Sequence, residues 1–181
     1  MNNNLIITIG REYGTGGREI GQKLALRLGI PFYDRELITR AAKKTGFDEK
    51  LFEQLDKRAT NSFLYSLTMF GSVGLNGMSL TDQLYLAQSN IIREMAEDSP
   101  CVIVGRCADH VLRDFPNKFD FFIHGSIEDR VKRVRTCGDY VIEGKTPEAA
   151  LEKMDKQRST YYNYYTGKVW GKCDHYDLCI N

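Results

Sequence analysis

The sequence predicts an α/β fold, in which a five-stranded parallel sheet forms the middle of three layers and helices cover both of its faces. Short apolar runs without polar alternation, such as LIITI at 5–9, are typical of strands buried on both faces. Amphipathic helical patterns separate these runs, and strands that alternate with helices form parallel sheets through right-handed crossovers. A chain of 181 residues has the length of one domain.

The expected elements follow from the apolar spacing. Strands are predicted at 5–9, 30–34, 101–105, 119–125 and 176–180, with the first at the centre of the sheet. Helices are predicted at 17–28, 35–46, 80–98, 127–136 and 148–167. Capping signals mark three helix ends, namely Gly29, Ser126 with Asp129, and Thr146 with Pro147.

Charge and composition argue against several classes of protein. The chain has 25 Lys and Arg against 24 Asp and Glu, so its overall charge favours neither nucleic acid nor a membrane surface as a partner. It has no leader pattern and no apolar run near the roughly 18 residues that a membrane span needs, so we expect a cytoplasmic location. The 5 cysteines form no C-x-x-C pair, which argues against a structural zinc site or a disulfide framework.

The stretch ITIGREYGTGGREIG at 7–21 runs from the first strand through a glycine cluster into the first helix. Such a loop can direct backbone N–H groups at an anion, helped by the helix dipole. The lysine of the G-x-x-x-x-G-K-[ST] motif is missing, and we expect the arginine at the start of the helix to supply the charge instead. The predicted nucleotide-binding residues are Gly14, Thr15, Gly16, Gly17, Arg18 and Glu19. A tight strand-to-helix turn without a ligand is the alternative.

A dinucleotide-binding loop is a second alternative for this segment. Asp34 ends the second predicted strand about 20 residues after the glycines, where a ribose-binding acid would lie. However, G-x-G-x-x-G counted from Gly14 needs glycine at the position of Glu19. The spacing therefore favours phosphate binding over dinucleotide binding.

Arginines cluster at the expected ligand edge of the sheet, where strands end and helices begin. Arg106 follows four apolar strand residues and a glycine, a position that a solvated surface charge does not explain. Arg130 and Arg133 share one helical face by their spacing, and Asp155 and Arg158 repeat that spacing on the next helix. Any one of these helical arginines, taken alone, is also compatible with an exposed surface charge.

Together, ITIGREYGTGGREIG, FYDRELITR, CVIVGRCAD and DKQRSTYYNYYTG resemble the cytidylate kinase-like family, a branch of the P-loop nucleoside monophosphate kinases. The resemblance covers nearly the whole chain. It implies a P-loop nucleoside kinase fold in a single domain, 1–181, with an insert or acceptor-side subregion at 47–79 and a lid at 126–168. It also implies phosphoryl transfer from ATP, with Mg²⁺, to a nucleoside monophosphate similar to CMP or to a related small acceptor.

The resemblance further implies roles for individual residues. The residues implied to bind the acceptor are Asp34, Arg40, Arg106, Asp155 and Arg158. The residues implied to supply positive charge for catalysis are Arg18, Arg130, Arg133 and Arg158.

Two departures from the family pattern bear on catalysis. Gly17 stands where the family has its loop lysine, and Cys107 stands where an aspartate follows the Gly-Arg pair. Because the hydroxyl ligand of Mg²⁺ is also absent, we expect Glu19 to hold the hydrated metal instead. Two alternatives to a nucleotide kinase stay open, namely a nucleotide- or anion-binding regulator that has lost catalysis and a kinase for another small metabolite.

Overall fold

A computed structural model describes residues 3–34, 40, 44, 79–137, 140 and 146–181 of the chain. Its strands are β1 (Ile6–Arg11), β2 (Phe32–Tyr33), β3 (Cys101–Val104), β4 (Lys118–Ile123) and β5 (Leu178–Ile180). Its helices are α1 (Gly17–Leu28), α2 (Leu80–Asp98), α3 (Ala108–Val111), α4 (Ile127–Thr136) and α5 (Pro147–Thr166). The strands form one 5-stranded sheet in the order β2-β3-β1-β4-β5, and all pairs are parallel. The predicted parallel sheet is confirmed, and β1 lies at its centre.

Alternate residues of the central strand point to opposite faces of the sheet, as the strand period requires. Ile7 and Ile9 pack with Ala25 of α1 on one face. On the other face, Ile6 packs with Ile92 of α2 and with residues of α3. Both faces of β1 are therefore covered by helices, and the predicted three layers are confirmed.

Strand register aligns the carboxyl ends of β1, β3 and β4 at one edge of the sheet. Ile9 of β1 lies opposite Val104 of β3, and Gly10 lies opposite Phe122 of β4. The N–H of Gly105 extends the first pairing by donating to the carbonyl of Ile9 at 3.0 Å. Because the strands are parallel, the segments that follow β1 and β3 leave the sheet side by side.

The predicted helix ends are also observed. Gly29 ends α1 in the left-handed conformation with φ 65°. The hydroxyl of Ser126 accepts the N–H of Asp129 at the start of α4, and Thr146 caps α5 in the same way with Pro147 in its first turn. These local signals fix where α4 and α5 begin, and both helices contact the glycine loop.

Two strands depart from the expectation of burial on both faces, and in the edge strand β5 both Leu178 and Ile180 are exposed. Phe119 at the start of β4 is 45% exposed. Its neighbour Asp120 accepts a hydrogen bond from the hydroxyl of Thr8 at 2.5 Å and pairs with Lys118. The strand itself is where the sequence predicts it, but this end of β4 carries a polar cluster.

Part of the expected architecture lies outside the described residues. This applies to the predicted helix at 35–46 apart from residues 40 and 44, to the insert at 47–79 apart from residue 79, and to most of 138–145. Among the helices that the structure describes, none combines the length and the apolar character that crossing a membrane would require.

Candidate active site

The glycine loop joins β1 to α1 through two left-handed residues. Gly14 has φ 84° and Gly16 has φ 79°, a conformation that side chains disfavour. The hydroxyl of Thr15 donates to the carbonyl of Glu12 at 2.9 Å and closes the turn. Helix α1 begins immediately afterwards, so its first N–H groups have no intrahelical acceptor. The loop therefore has the arrangement of backbone donors and helix dipole that binds phosphate.

Helices α4 and α5 hold the loop through Tyr13. The N–H of Tyr13 donates to Oδ1 of Asp155 at 2.6 Å, while its carbonyl accepts from Nη1 of Arg130 at 3.2 Å. Arg130 and Asp155 also pair with each other, and their side chains are 10% and 15% exposed. The structure thus places two predicted site residues against the backbone of the loop, where they position it.

A second carboxylate supports the same region. Glu12 accepts the N–H of Gly125 at 3.1 Å and lies 3.6 Å from Nε of Arg130. The loop is therefore connected to the segment between β4 and α4 as well as to α5. The loop position depends on residues far away in sequence.

Arg133 of α4 lies over the glycine loop. A Cβ atom at Gly16 would be 2.6 Å from Cζ of Arg133, so glycine is required for this approach. The guanidinium pairs with Glu19 and donates from Nε to the hydroxyl of Tyr140 at 3.3 Å. The hydrogen bond with Tyr140, with a smaller contribution from Glu19, raises the pKa of Arg133. Arg133 is placed where a bound phosphate would contact it.

Glu19 and Arg18 in the first turn of α1 are already paired. Lys23 donates to Glu19 at 2.6 Å, and this hydrogen bond is the main reason why the pKa of Glu19 lies below its usual value. Arg18 donates from Nε to Asp34 at 2.8 Å, although 55% of the Arg18 side chain is exposed. Both residues lie at the mouth of the loop.

A cleft of about 180 Å³ opens at the carboxyl ends of β1 and β3. Its walls come from the end of β1, the turn after β3, the middle of α5 and the rings of Trp170 and Tyr176. Arg11, Arg106 and Arg158 all line it. The cleft therefore combines cationic groups with aromatic surface, which suits an anionic organic ligand.

The turn after β3 has an unusual backbone. Gly105, Arg106 and Cys107 have φ values of 78°, 60° and 55° in succession. Two consecutive left-handed residues other than glycine are rare and store strain, which is commonly found at ligand sites. This turn leads directly into α3 and brings Arg106 to the cleft.

Arg11 at the end of β1 is a site residue that the sequence analysis missed. Burial, with a further contribution from Arg158, lowers the pKa of Arg11 to about 9, so the guanidinium is still charged at neutral pH. Arg158 donates to the carbonyl of Arg11 at 2.9 Å and stacks on the ring of Tyr13 at 5.1 Å. Burial likewise lowers the pKa of Arg158. A signal was present, because ITIGR at 7–11 repeats the pattern of VIVGR at 102–106.

The remaining predicted acceptor residue lies beyond β2. The guanidinium of Arg40 stacks on the ring of Tyr33 with 5.6 Å between Cζ and the ring centroid. Arg40 itself is exposed. The structure therefore places Arg40 near the end of β2, and Arg40 is not among the residues that line the cleft.

Other polar groups of the cleft lie on α3 and α5. Tyr162 donates to Asp109 at 2.6 Å, and burial raises the pKa of Asp109. Both polar atoms of the Gln157 amide are buried and have no hydrogen-bond partner among the described residues. Unpaired buried polar groups are costly, so this amide is available to a ligand that offers both a donor and an acceptor.

A magnesium ion that accompanies bound phosphates would need few ligands from the protein. The described part of the chain contains no group of three or more His, Cys, Asp or Glu residues that would form a metal cage. Mg²⁺ in phosphoryl-transfer sites needs only one or two carboxylates, because phosphates and water supply the other ligands. Glu19, ionised and exposed at the start of α1, fits that requirement.

The strand order, the glycine loop after the central strand and the arginine-lined cleft define a P-loop kinase fold. The model of the cytidylate kinase-like family matches residues 6–181, and the chain belongs to that family. No curated protein sequence matches the chain significantly.

Solved structures share the fold of this chain. An uncharacterized protein from Eubacterium ventriosum ATCC 27560 superposes with a TM-score of 0.66 at 32% identity, covering 98% of this chain and 87% of that chain. Shikimate kinase from Bacteroides thetaiotaomicron superposes with a TM-score of 0.55 at 15% identity, covering 98% and 86%. Shikimate kinase from Acinetobacter baumannii in complex with shikimate gives 0.50 at 16% identity, covering 99% and 84%. The two shikimate kinases share the fold with this chain.

Proposed function

We propose that the protein transfers the γ-phosphoryl group of ATP to a nucleoside monophosphate similar to CMP, or to a related small acceptor bound in the cleft. One observation carries the proposal. Arg11, Arg106 and Arg158, from three separate elements, line one cleft beside a loop built to bind phosphate. Like charges repel, so their convergence is best explained by an anionic ligand.

The donor phosphates would bind at the loop. Backbone N–H groups between Gly14 and Glu19 would donate hydrogen bonds to them, and Arg133 of α4 would contact them from the other side. Mg²⁺, held through water by Glu19, would neutralise charge on the β- and γ-phosphates. Arg130 and Asp155 act indirectly, because they fix the backbone of Tyr13 and thereby the loop.

The acceptor would bind at the cleft. Arg106 and Arg158 would orient its phosphate, and a part of the acceptor that extends out of the cleft toward β2 would contact Asp34 and Arg40. An oxygen of the acceptor forms a bond to the γ-phosphorus, and the bond to the β–γ bridging oxygen breaks. ADP leaves with that electron pair. A phosphate acceptor needs no general base, so positioning and charge neutralisation are the main contributions of the protein.

A kinase for a hydroxylated metabolite is the second candidate. A hydroxyl acceptor benefits from a base, and Asp109 lines the cleft as a carboxylate whose pKa burial raises. In that case Asp109 would accept the hydroxyl proton, and Arg106 and Arg158 would bind an anionic group of the metabolite.

A coupled assay of ATP consumption over the nucleoside monophosphates and common hydroxylated metabolites tests both candidates. We expect Mg²⁺-dependent ADP formation with a pyrimidine nucleoside monophosphate, and Asp109→Asn should not abolish that rate. Preference for a hydroxylated metabolite, with loss of activity in Asp109→Asn, would favour the second candidate. ATP binding without Mg²⁺ dependence and without ADP formation for any acceptor would instead indicate a regulator.

A further inference from the structure

The side chain of Arg11 runs across the site between two glycines. A Cβ atom at Gly17 would lie 2.7 Å from Cβ and 2.9 Å from Cγ of Arg11. At the other end, a Cβ atom at Gly105 would lie 2.1 Å from Nη1 of Arg11. Contacts this short do not occur between real atoms. The contact at Gly17 involves the first atoms of the Arg11 side chain, which cannot move away, whereas the contact at Gly105 involves its movable end. Glycine at 17 is therefore required beside Arg11, and glycine at 105 allows the guanidinium to take its observed position.

Gly17 occupies the position at which the P-loop motif has its lysine. The stem of a lysine there would begin in the space that the Arg11 stem fills. The lysine is therefore not simply lost. Arg11 starts at the end of β1, and its side chain occupies the space in which a lysine side chain starting from α1 would lie.

The guanidinium of Arg11 lacks a partner within the described part of the chain. Its side chain makes no hydrogen bond or ion pair there, although Arg11 is half-buried. The neighbouring charges of Arg158, Arg106 and Arg18 are cationic, and Asp34 is the acidic group that acts on Arg11. Burial disfavours the charge of Arg11, which makes no hydrogen bond or ion pair among the described residues, and this favours an anion supplied by a ligand.

We propose that Arg11 supplies to the transferred phosphoryl group the positive charge that a P-loop lysine supplies in related kinases. The inference rests on the proposed phosphoryl transfer. Arg11 begins at the edge of the glycine loop and ends over Gly105 in the cleft, so it connects the donor side to the acceptor side. Arg18 is less suited to this role, since it is mainly exposed and pairs with Asp34.

The first arm of the test removes the charge and keeps the stem. We expect Arg11→Met to lower kcat by about 100-fold or more, as loss of a group that stabilises developing charge does. Affinity for ATP and for tripolyphosphate, measured by calorimetry, should fall by about tenfold. Arg18→Met should have a smaller effect on both. Arg27→Met, in the last turn of the same helix, is the matched control and should leave both unchanged.

The second arm exchanges the two positions. Gly17→Lys alone should lower the unfolding temperature, because its stem would overlap that of Arg11. Arg11→Ala alone should be inactive. The double variant Arg11→Ala/Gly17→Lys should recover both thermal stability and part of kcat, which a purely structural role of Arg11 does not predict.

The outcomes separate this inference from the proposed function. If the wild-type protein forms no ADP with any acceptor, the proposed transfer fails. If the wild type is active but Arg11→Met retains kcat within about twofold, or the double variant recovers nothing, Arg11 is not the replacement for the lysine. An unchanged tripolyphosphate affinity in Arg11→Met would overturn the assignment of Arg11 as an anion ligand, whatever the activity of the wild type.

Discussion

The N–H of Tyr13 in the glycine loop donates a hydrogen bond of 2.6 Å to Oδ1 of Asp155, which lies 142 residues further along the chain. The same carboxylate pairs through Oδ2 with Arg130, which in turn binds the carbonyl of Tyr13. One acidic side chain of α5 therefore fixes the loop and neutralises a buried cation. The shape of the phosphate site depends on this contact.

Asp155→Ala should destabilise the protein as well as lower its activity. Removing one partner of a buried ion pair costs about 3–5 kcal/mol when the other charge is left uncompensated. Glu12 still lies 3.6 Å from Nε of Arg130, so we expect a loss of stability below that range. Asp155→Asn keeps an acceptor for Tyr13 and should lie between the wild type and the alanine variant. Denaturant unfolding measures the effect, with the exposed Glu152→Ala on the same helix as the control. Equal stability of Asp155→Ala and Glu152→Ala would contradict the role of Asp155 in holding the loop.

Residue spacing reveals some features of the site and not others. Helical spacing correctly places Asp155 and Arg158 on neighbouring turns of α5. It does not reveal that one binds the N–H of Tyr13 while the other binds the carbonyl of Arg11 and lines the cleft. Contacts over such sequence distances depend on how α5 packs on the loop, and no local pattern encodes that packing.

Arginine after a buried strand is a local pattern, and it was informative. VIVGR predicts Arg106 as a site residue, whereas the position at the start of the helix favours Arg18 as the source of the missing charge of the loop. The role of Gly17 in making room for Arg11 becomes visible only from interatomic distances. The order of strands and helices, in contrast, follows from apolar spacing and caps, which are local properties of the chain.

Removal of the Arg106 side chain should affect the acceptor and leave ATP unaffected. We expect Arg106→Ala and Arg106→Gly to raise the acceptor KM to the same extent with little change in ATP affinity, because Arg106 lines the cleft. Since Arg106 has φ 60°, glycine relieves strain that alanine retains. Arg106→Gly should therefore be more stable than Arg106→Ala by about 1 kcal/mol. A parallel loss of ATP affinity in both variants would place Arg106 on the donor side.

Glu19→Ala should abolish Mg²⁺-dependent transfer, while ATP binding without metal persists. The pKa of Glu19 lies below its usual value, chiefly because Lys23 donates to it, so the carboxylate is ionised at neutral pH. Its removal also releases Arg133, which would then be available to the phosphates. Lys23→Ala is the control, since it keeps the carboxylate and should keep transfer. Titration of Mg²⁺ in the ATPase assay measures the effect, and an unchanged response in Glu19→Ala would remove Glu19 from the metal site.

The last prediction concerns Arg11, whose side chain makes no hydrogen bond or ion pair within the described ranges of the chain. Burial and the neighbouring arginines disfavour its charge, as the lowering of its pKa to about 9 indicates. In ligand-free protein at neutral pH, Arg11→Met should therefore raise the unfolding temperature, although the same change lowers activity.

Added tripolyphosphate should reduce this difference in unfolding temperature, because an anion that binds the folded state stabilises that state more when it binds more tightly. The wild type should gain several degrees at saturating tripolyphosphate, whereas Arg11→Met should gain less. Thermal unfolding of both proteins, with Arg27→Met as the control, measures the difference. A ligand-free Arg11→Met protein that is less stable than the wild type, with an equal gain from tripolyphosphate, would show that Arg11 serves packing and not anion binding.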